Sequence, residues 1–233
     1  MPPPVSMTKI HPTAILEGNI QLGENVEIGA FCYLKGDLEI GDNVRISPHC
    51  SIGTPAEHKI RPTEIGKICI GNDTIIRDGC VIQRGTGYYD TTIGNHCFIM
   101  NKCYISHDTR IGNHVTMAAH TALGGRTTVL EGATFGLGVL AHQVSTIGAW
   151  AMVGMGAVVA KDVPPFALVL GNPMRFQRFN SYHFPKFGIE IEKNIYFKDH
   201  KIYIDKKHST LIDLYQQFQS ISSRKKIVEI VEF

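Results

Sequence analysis

The chain has 233 residues, enough for one full domain and a small extension around a sizeable core that needs no disulfide or metal. Hydrophobic residues make up 43% and charged residues 19%, and no apolar run approaches the roughly 20 residues of a membrane span, so a soluble globular protein is expected. A net charge of +2 is too near balance to point to nucleic acid, and the one basic run, Arg224-Lys225-Lys226, reads as a solvated surface turn.

The opening Met1-Pro-Pro-Pro-Val-Ser-Met7 has no basic start followed by an apolar stretch, so neither signal peptide nor anchor is expected and a cytoplasmic location follows. From Ile10 every sixth residue is apolar: Ile10, Leu16, Leu22, Ile28, Leu34, Ile40, Ile46 and Ile52. The step resumes at Ile70, Ile76 and Ile82, and again from Ile93 through Ile99, Ile105, Ile111, Met117, Leu123, Val129, Phe135, Ala141, Ile147 and Val153 to Val159. A period of six fits neither the 3.6 of a helix nor a long amphipathic strand; it is the mark of a β-solenoid whose coil is a triangle of three hexads. Glycine often follows the ladder residue, as at Gly71, Gly94 and Gly136, which suits tight corners. Small or β-branched residues stand four positions after it, and Cys32, Cys50, Cys80, Cys97 and Cys103 belong to that set. They read as packed, reduced thiols, since no CxxC spacing suggests zinc. The period leaves handedness open.

The repeat is broken twice, by polar loops at 53–69 and 83–92. The first carries Glu57, His58 and Lys59 and the second Arg84; both are candidate ligand contacts, because function concentrates where a regular scaffold releases a loop. Of eleven histidines, His107 has an adjacent carboxylate in Ile105-Ser-His-Asp108, and histidine is the side chain best matched to proton transfer near neutrality. His120 and His142 lie on later coils. Beyond the prism, assigned to residues 1–165, an extension at 166–233 is expected to hold short strands at Ile189-Glu-Ile-Glu and Ile202-Tyr-Ile. A helix over Thr210–Ile221 would bury Leu211, Leu214 and Phe218. Its simplest role is to cap the open end of the solenoid.

Several motifs together resemble the UDP-N-acetylglucosamine acyltransferases of lipid A biosynthesis, the LpxA type. They are Ile10-His-Pro-Thr-Ala14, Gln83-Arg-Gly-Thr86, Ile105-Ser-His-Asp108, Gly138-Val-Leu-Ala-His-Gln143, Lys161-Asp-Val-Pro-Pro165 and Gly171-Asn172. The resemblance implies a left-handed parallel β-helix, a homotrimer with active sites between neighbouring prisms, and no metal or permanently bound cofactor. His107 matches the family's general base, Asp108 the residue that orients it, and the Gly125 N–H the oxyanion donor. The substrate-contact set drawn from the likeness and the histidine positions is Glu57, Lys59, Tyr104, His120, Arg126, His142, Gln143, Met155 and Asn180. Met155 falls at the position that limits acyl length, which implies a short or medium acyl group. The donor would be a thioester of acyl carrier protein or coenzyme A and the acceptor a UDP-N-acetylglucosamine-like nucleotide sugar.

The chain also departs from the family. Arg126 and Tyr104 stand where histidines are usual, Ala56 replaces a glutamine, and Lys186-Phe187 occupies the place of a basic pair that grips the nucleotide phosphates. These departures leave open a second reading, a coenzyme A-dependent N-acyl- or N-acetyltransferase acting on a nucleotide-linked amino sugar of a surface glycan. A third is a zinc-dependent lyase resembling the gamma-class carbonic anhydrases. It needs three histidines with an open position, and the paired histidine expected near His142 is absent between Gly138 and Ile147.

Overall fold

The computed structural model describes residues 8–60 and 65–233. Residues 1–7, where neither signal peptide nor anchor is expected, and residues 61–64 of the first loop lie outside the described residues. From Lys9 onward, short strands alternate with tight turns, and strands pair in parallel with those one coil on: Thr116 with Thr134, Ala122 with Leu140, Thr128 with Thr146. Three hexads therefore close one coil of eighteen residues, and the chain is a left-handed parallel β-helix. One face carries the strands Glu27–Ile28, Arg45–Ile46 and Ile75–Ile76 and continues through Thr134–Phe135 to Met152–Val153. The second face ends in Ile52, Ile82, Ile105, Leu123 and Ala141, and the third carries Ile70, Ile93, Ile111 and Val129.

The six-residue ladder forms the interior. Ile52, Ile76, Ile99, Ile105, Met117 and Leu123 are fully buried, each worth about 1.5–3 kcal/mol relative to exposure. Cys32, Cys50, Cys80 and Cys103 are buried and free, and their thiols donate to the carbonyls of Ser47, Arg77, Met100 and Ala118 at 3.1–3.3 Å. Burial lifts the Cys97 thiol above its ordinary range, as befits a packed group rather than a nucleophile. The glycine after the ladder residue is demanded by close approach of the next coil: a Cβ on Gly136 would lie 2.5 Å from the Met155 nitrogen.

Both loops leave the prism at the corner between the second and third faces. Ile46 pairs with Ile76, thirty positions on, and Ile76 with Ile99, twenty-three on, so the first loop adds twelve residues and the second five to the coil. The rungs pair across both insertions, with one register shift between Ile52 and Thr54 where the first loop leaves its strand. Residues 107, 125, 143 and 161 occupy this same corner on successive coils, which places the loops beside His107.

After Pro164-Pro165 the strand Ala167–Leu170 adds to the first face and Arg175–Phe179 returns antiparallel to it. A second, aromatic-rich core of Trp150, Phe166, Phe184, Tyr215 and Phe218 binds the extension to the prism. The strand expected at Ile202 is present as Lys201–Ile204, but Ile189-Glu-Ile-Glu forms no strand: the chain turns at 192–194, where Asn194 accepts from Glu190 N–H through its side chain and donates to Glu190 C=O through its backbone. The helix runs Ser209–Ile221 and buries Leu211, Tyr215 and Phe218, with Leu214 only partly covered. Tyr215 takes that place because its hydroxyl donates to Pro165 C=O at 2.9 Å.

The basic run after the helix is not a solvated turn. Buried Asp162 accepts from Ser222 hydroxyl at 2.7 Å, Arg224 N–H at 2.9 Å and Thr146 N–H at 2.7 Å, and its backbone pairs with Lys225 and Ile227, so this segment forms a last partial rung of the prism. The ladder yields a direct stability test. Ile99→Ala is expected to lower unfolding free energy by about 2–5 kcal/mol in denaturant titrations. Ile10→Ala, on a rung where the same ladder position is 44% exposed, should cost under about 1 kcal/mol.

Candidate active site

Asp108 is the second residue of the turn that follows the Tyr104–Ile105 strand and has φ +59°, a left-handed conformation that aspartate tolerates. That turn aims its carboxylate inward under the second loop, where it is 1% exposed. There it accepts from Thr86 N–H at 2.8 Å, Thr86 hydroxyl at 2.9 Å and Tyr89 N–H at 3.1 Å, while its own N–H donates to Thr91 Oγ1 at 3.0 Å. His107 Nδ1 lies 2.7 Å from Asp108 Oδ2. Burial is the largest single influence and pushes the Asp108 carboxyl up, but the bonds from His107, Thr86 and Tyr89 together overcome it and hold the group below the ordinary carboxylate range. An ionised carboxylate only accepts, so Nδ1 carries the histidine hydrogen and Nε2 is left as a proton acceptor.

Nε2 points at the next coil. A Cβ on residue 125 would sit 2.7 Å from His107 Cε1 and 2.8 Å from Nε2, so only glycine leaves room for the ring. Gly124 and Arg126 spend their N–H groups on Ala141 C=O and His107 C=O, whereas the Gly125 N–H has no partner among the described residues. A cavity of about 340 Å³ opens here, lined by His58, Ile60, Thr86, Tyr88, His107 and Arg126. His58 meets the His107 ring edge-on at 5.6 Å, and the Arg126 guanidinium lies 5.7 Å from the Tyr88 ring. Beside it, Tyr104 hydroxyl donates to Glu57 Oε2 at 2.8 Å; burial first, and then the Glu57 carboxylate, push this phenol up to about 12, so it stays a donor near neutrality. Gln83 accepts from Ser106 hydroxyl at 3.1 Å and ties the loop to the same strand end.

Of the residues singled out in the sequence, Glu57, Tyr104, His107, Asp108, Gly125 and Arg126 thus come together in one chain. His142 and Gln143 stand on the same corner two coils from His107. Lys59 is exposed and does not line the cavity. His120 and Met155, both exposed, fall at the corner between the first and second faces, away from His107 within the chain. Asn180 lies at the third corner, where its side chain donates to Trp150 C=O at 2.9 Å, and Lys186 rests 4.3 Å from the Trp150 ring centroid. His58, expected as a ligand contact of the first loop, lines the cavity; Thr86 is an addition that lies inside the loop motif, and Arg224, expected on a solvated turn, instead reaches His142.

Among the described residues, no group of three His, Cys, Asp or Glu side chains is placed to hold a metal, and no helix is long and apolar enough to cross a membrane. The depressed Asp108 pKa makes a pH prediction. Its contribution to stability is fully present above the unfolded-state carboxylate pKa near 4 and is lost as pH falls through the lower folded value. In Asp108→Asn the stability deficit should therefore be largest near neutrality and shrink below about pH 4, measured by denaturant unfolding across pH; a constant deficit would contradict the assignment.

The bacterial transferase hexapeptide model, six repeats, matches residues 19–54 and 90–125. The acyl-[acyl-carrier-protein]–UDP-N-acetylglucosamine O-acyltransferase of Halorhodospira halophila is 36% identical over 207 residues, 80% of each chain. That of Pseudomonas savastanoi is 39% identical over 194 residues, 75% of each. Among solved structures, the Arabidopsis UDP-N-acetylglucosamine acyltransferase superposes with a TM-score of 0.64 at 27% identity, over 79% of this chain and 76% of that one. The Moraxella catarrhalis enzyme gives 0.60 at 26% over 79% and 77%. The chain belongs to the UDP-N-acetylglucosamine acyltransferase family, the LpxA type.

Proposed function

We propose that the protein transfers a short or medium 3-hydroxyacyl group from a phosphopantetheine thioester of acyl carrier protein to a hydroxyl of UDP-N-acetylglucosamine. The observation that carries this reading is the buried Asp108 carboxylate, which leaves His107 Nε2 free to accept a proton beside the unspent Gly125 N–H. His107 Nε2 takes the proton of the sugar hydroxyl as its oxygen attacks the thioester carbonyl carbon. Charge then develops on the carbonyl oxygen, where the Gly125 N–H donates to it; a donor of this kind contributes about 3 kcal/mol. Collapse breaks the C–S bond, and the leaving thiolate recovers the proton from Nε2, so the base is regenerated. Asp108 keeps its negative charge throughout and stabilises the transient imidazolium.

A homotrimer completes the site. Within one chain, His107 stands on one corner and His120 and Met155 on another, and two corners of a prism face each other only across a boundary between copies. There Met155, 72% exposed, would close the acyl groove. The carrier protein and the nucleotide sugar place the reaction in the cytoplasm. Coenzyme A presents the same phosphopantetheine arm and is the alternative donor. The Tyr104–Glu57 pair and Arg126, standing where the family usually has histidines, favour as a second reading the formation of an amide on an amino sugar.

Purified protein supplied with 3-hydroxyacyl carrier protein and UDP-N-acetylglucosamine should form a product whose acyl link hydroxylamine cleaves, as an ester requires; a resistant link would establish the amide. His107→Ala should lower kcat by about 10²–10⁴-fold with little change in KM, and undiminished turnover would refute the base assignment.

A further inference from the structure

The C-terminal extension reaches the corner that bears His142. Arg224, anchored through its backbone N–H to buried Asp162, lays its guanidinium across two coils: Nε and Nη2 donate to Ala160 C=O at 3.3 and 3.2 Å, and Nη1 lies 3.1 Å from Gln143 C=O and 3.0 Å from His142 Nδ1. His142 Nδ1 is also 3.0 Å from Gln143 C=O. These contacts compete, because Nδ1 cannot donate to the carbonyl while accepting from arginine. A guanidinium has only donors, so it decides the contest. With Nδ1 accepting, Nη1 satisfies both the ring and the carbonyl; with a hydrogen on Nδ1, two N–H groups would face each other at 3.0 Å. The histidine hydrogen therefore belongs on Nε2, on an exposed ring at the column that leads from His107.

We propose that Arg224 is a positioning residue that holds His142 as an outward Nε2–H donor for a substrate oxygen. The extension is thereby part of the substrate site as well as the cap of the prism. The oxygen is a phosphate or sugar oxygen of the nucleotide sugar, or a carbonyl of the donor's pantetheine arm. That substrate identity depends on the acyltransferase reading; the tautomer does not. The arrangement is opposite to that of His107, whose hydrogen sits on Nδ1, and it suits binding rather than proton abstraction.

Removing Arg224 frees Gln143 C=O to accept from the ring, so the hydrogen should move. Long-range ¹H–¹⁵N spectra of the histidine rings, assigned with His142→Ala, should show the Nε2–H form in the wild type and the Nδ1–H form in Arg224→Ala. Affinity for UDP-N-acetylglucosamine by calorimetry, or KM for the acyl carrier thioester, should weaken about five- to tenfold in Arg224→Ala, the worth of one hydrogen bond. The change in kcat should be smaller, and Arg224→Ala should add nothing in a His142→Ala background. The substrate that responds identifies the oxygen. Arg224→Lys, which keeps the charge but has too few donors in place to span both coils, should fall between. An unchanged tautomer, wild-type affinity for both substrates in Arg224→Ala, or a full effect persisting without His142 would each overturn the proposal. A wild-type protein with the Nε2–H form that binds neither substrate would instead overturn the acyltransferase reading.

Discussion

A regular coil of this prism takes eighteen residues, as the pairing of Thr116 with Thr134 and Ala122 with Leu140 shows. Rungs of a parallel β-helix stack about 4.8 Å apart, and hydrogen bonding between them persists only if every coil returns to the same register. Extra residues must therefore leave at a corner and come back to it. Both insertions do so at one corner, and the residues beneath them, 107, 125 and 143, are brought into a column by the register alone. The proposed base on one rung and an unspent N–H on the next are then held by rigid strands rather than by a loop.

The second loop gives the column its chemistry. A histidine beside an aspartate in sequence has no fixed relation to it, because the two side chains diverge along most backbones. Here the left-handed turn at Asp108 sends the carboxylate under Thr86 and Tyr89, where three donors besides the histidine hold it ionised despite burial. Histidine orientation follows from that carboxylate. At the far end of the column a different ion settles the other ring: Arg224 meets His142 through the same Nδ1 but as a donor. Two histidines on one scaffold thus present opposite faces of their hydrogen-bonding capacity.

How much of this was legible in the sequence depends on the range of the forces involved. The ladder from Ile10 to Val159 announced the prism because a buried core with a strict period leaves a strict period in the residues. His107 and Asp108 stood out as neighbours, and the Gln83-Arg-Gly-Thr86 motif marked the loop, yet the contact between Thr86 and Asp108 spans twenty-two residues and no pattern encodes it. Arg224 looks like a solvated charge in the sequence because its significance comes from a partner eighty-two residues away and from a backbone anchored on Asp162. Ile189-Glu-Ile-Glu alternates like a strand, but Asn194 holds the chain in a turn at 192–194, a local hydrogen bond prevailing over a short amphipathic pattern. His120 and Met155 stand on a different corner of the prism from His107 within one chain, so only the proposed trimer would bring them to it.

The chemistry proposed for this site rests on Asp108 leaving His107 with a proton-accepting Nε2. The most direct measurement is the ring ¹⁵N and ¹H spectrum of His107, assigned with His107→Ala, in the resting protein near neutral pH. A single hydrogen on Nδ1, its resonance moved downfield by the bond to the Asp108 carboxylate, and an unprotonated Nε2 are expected. A hydrogen found on Nε2 would contradict that chemistry.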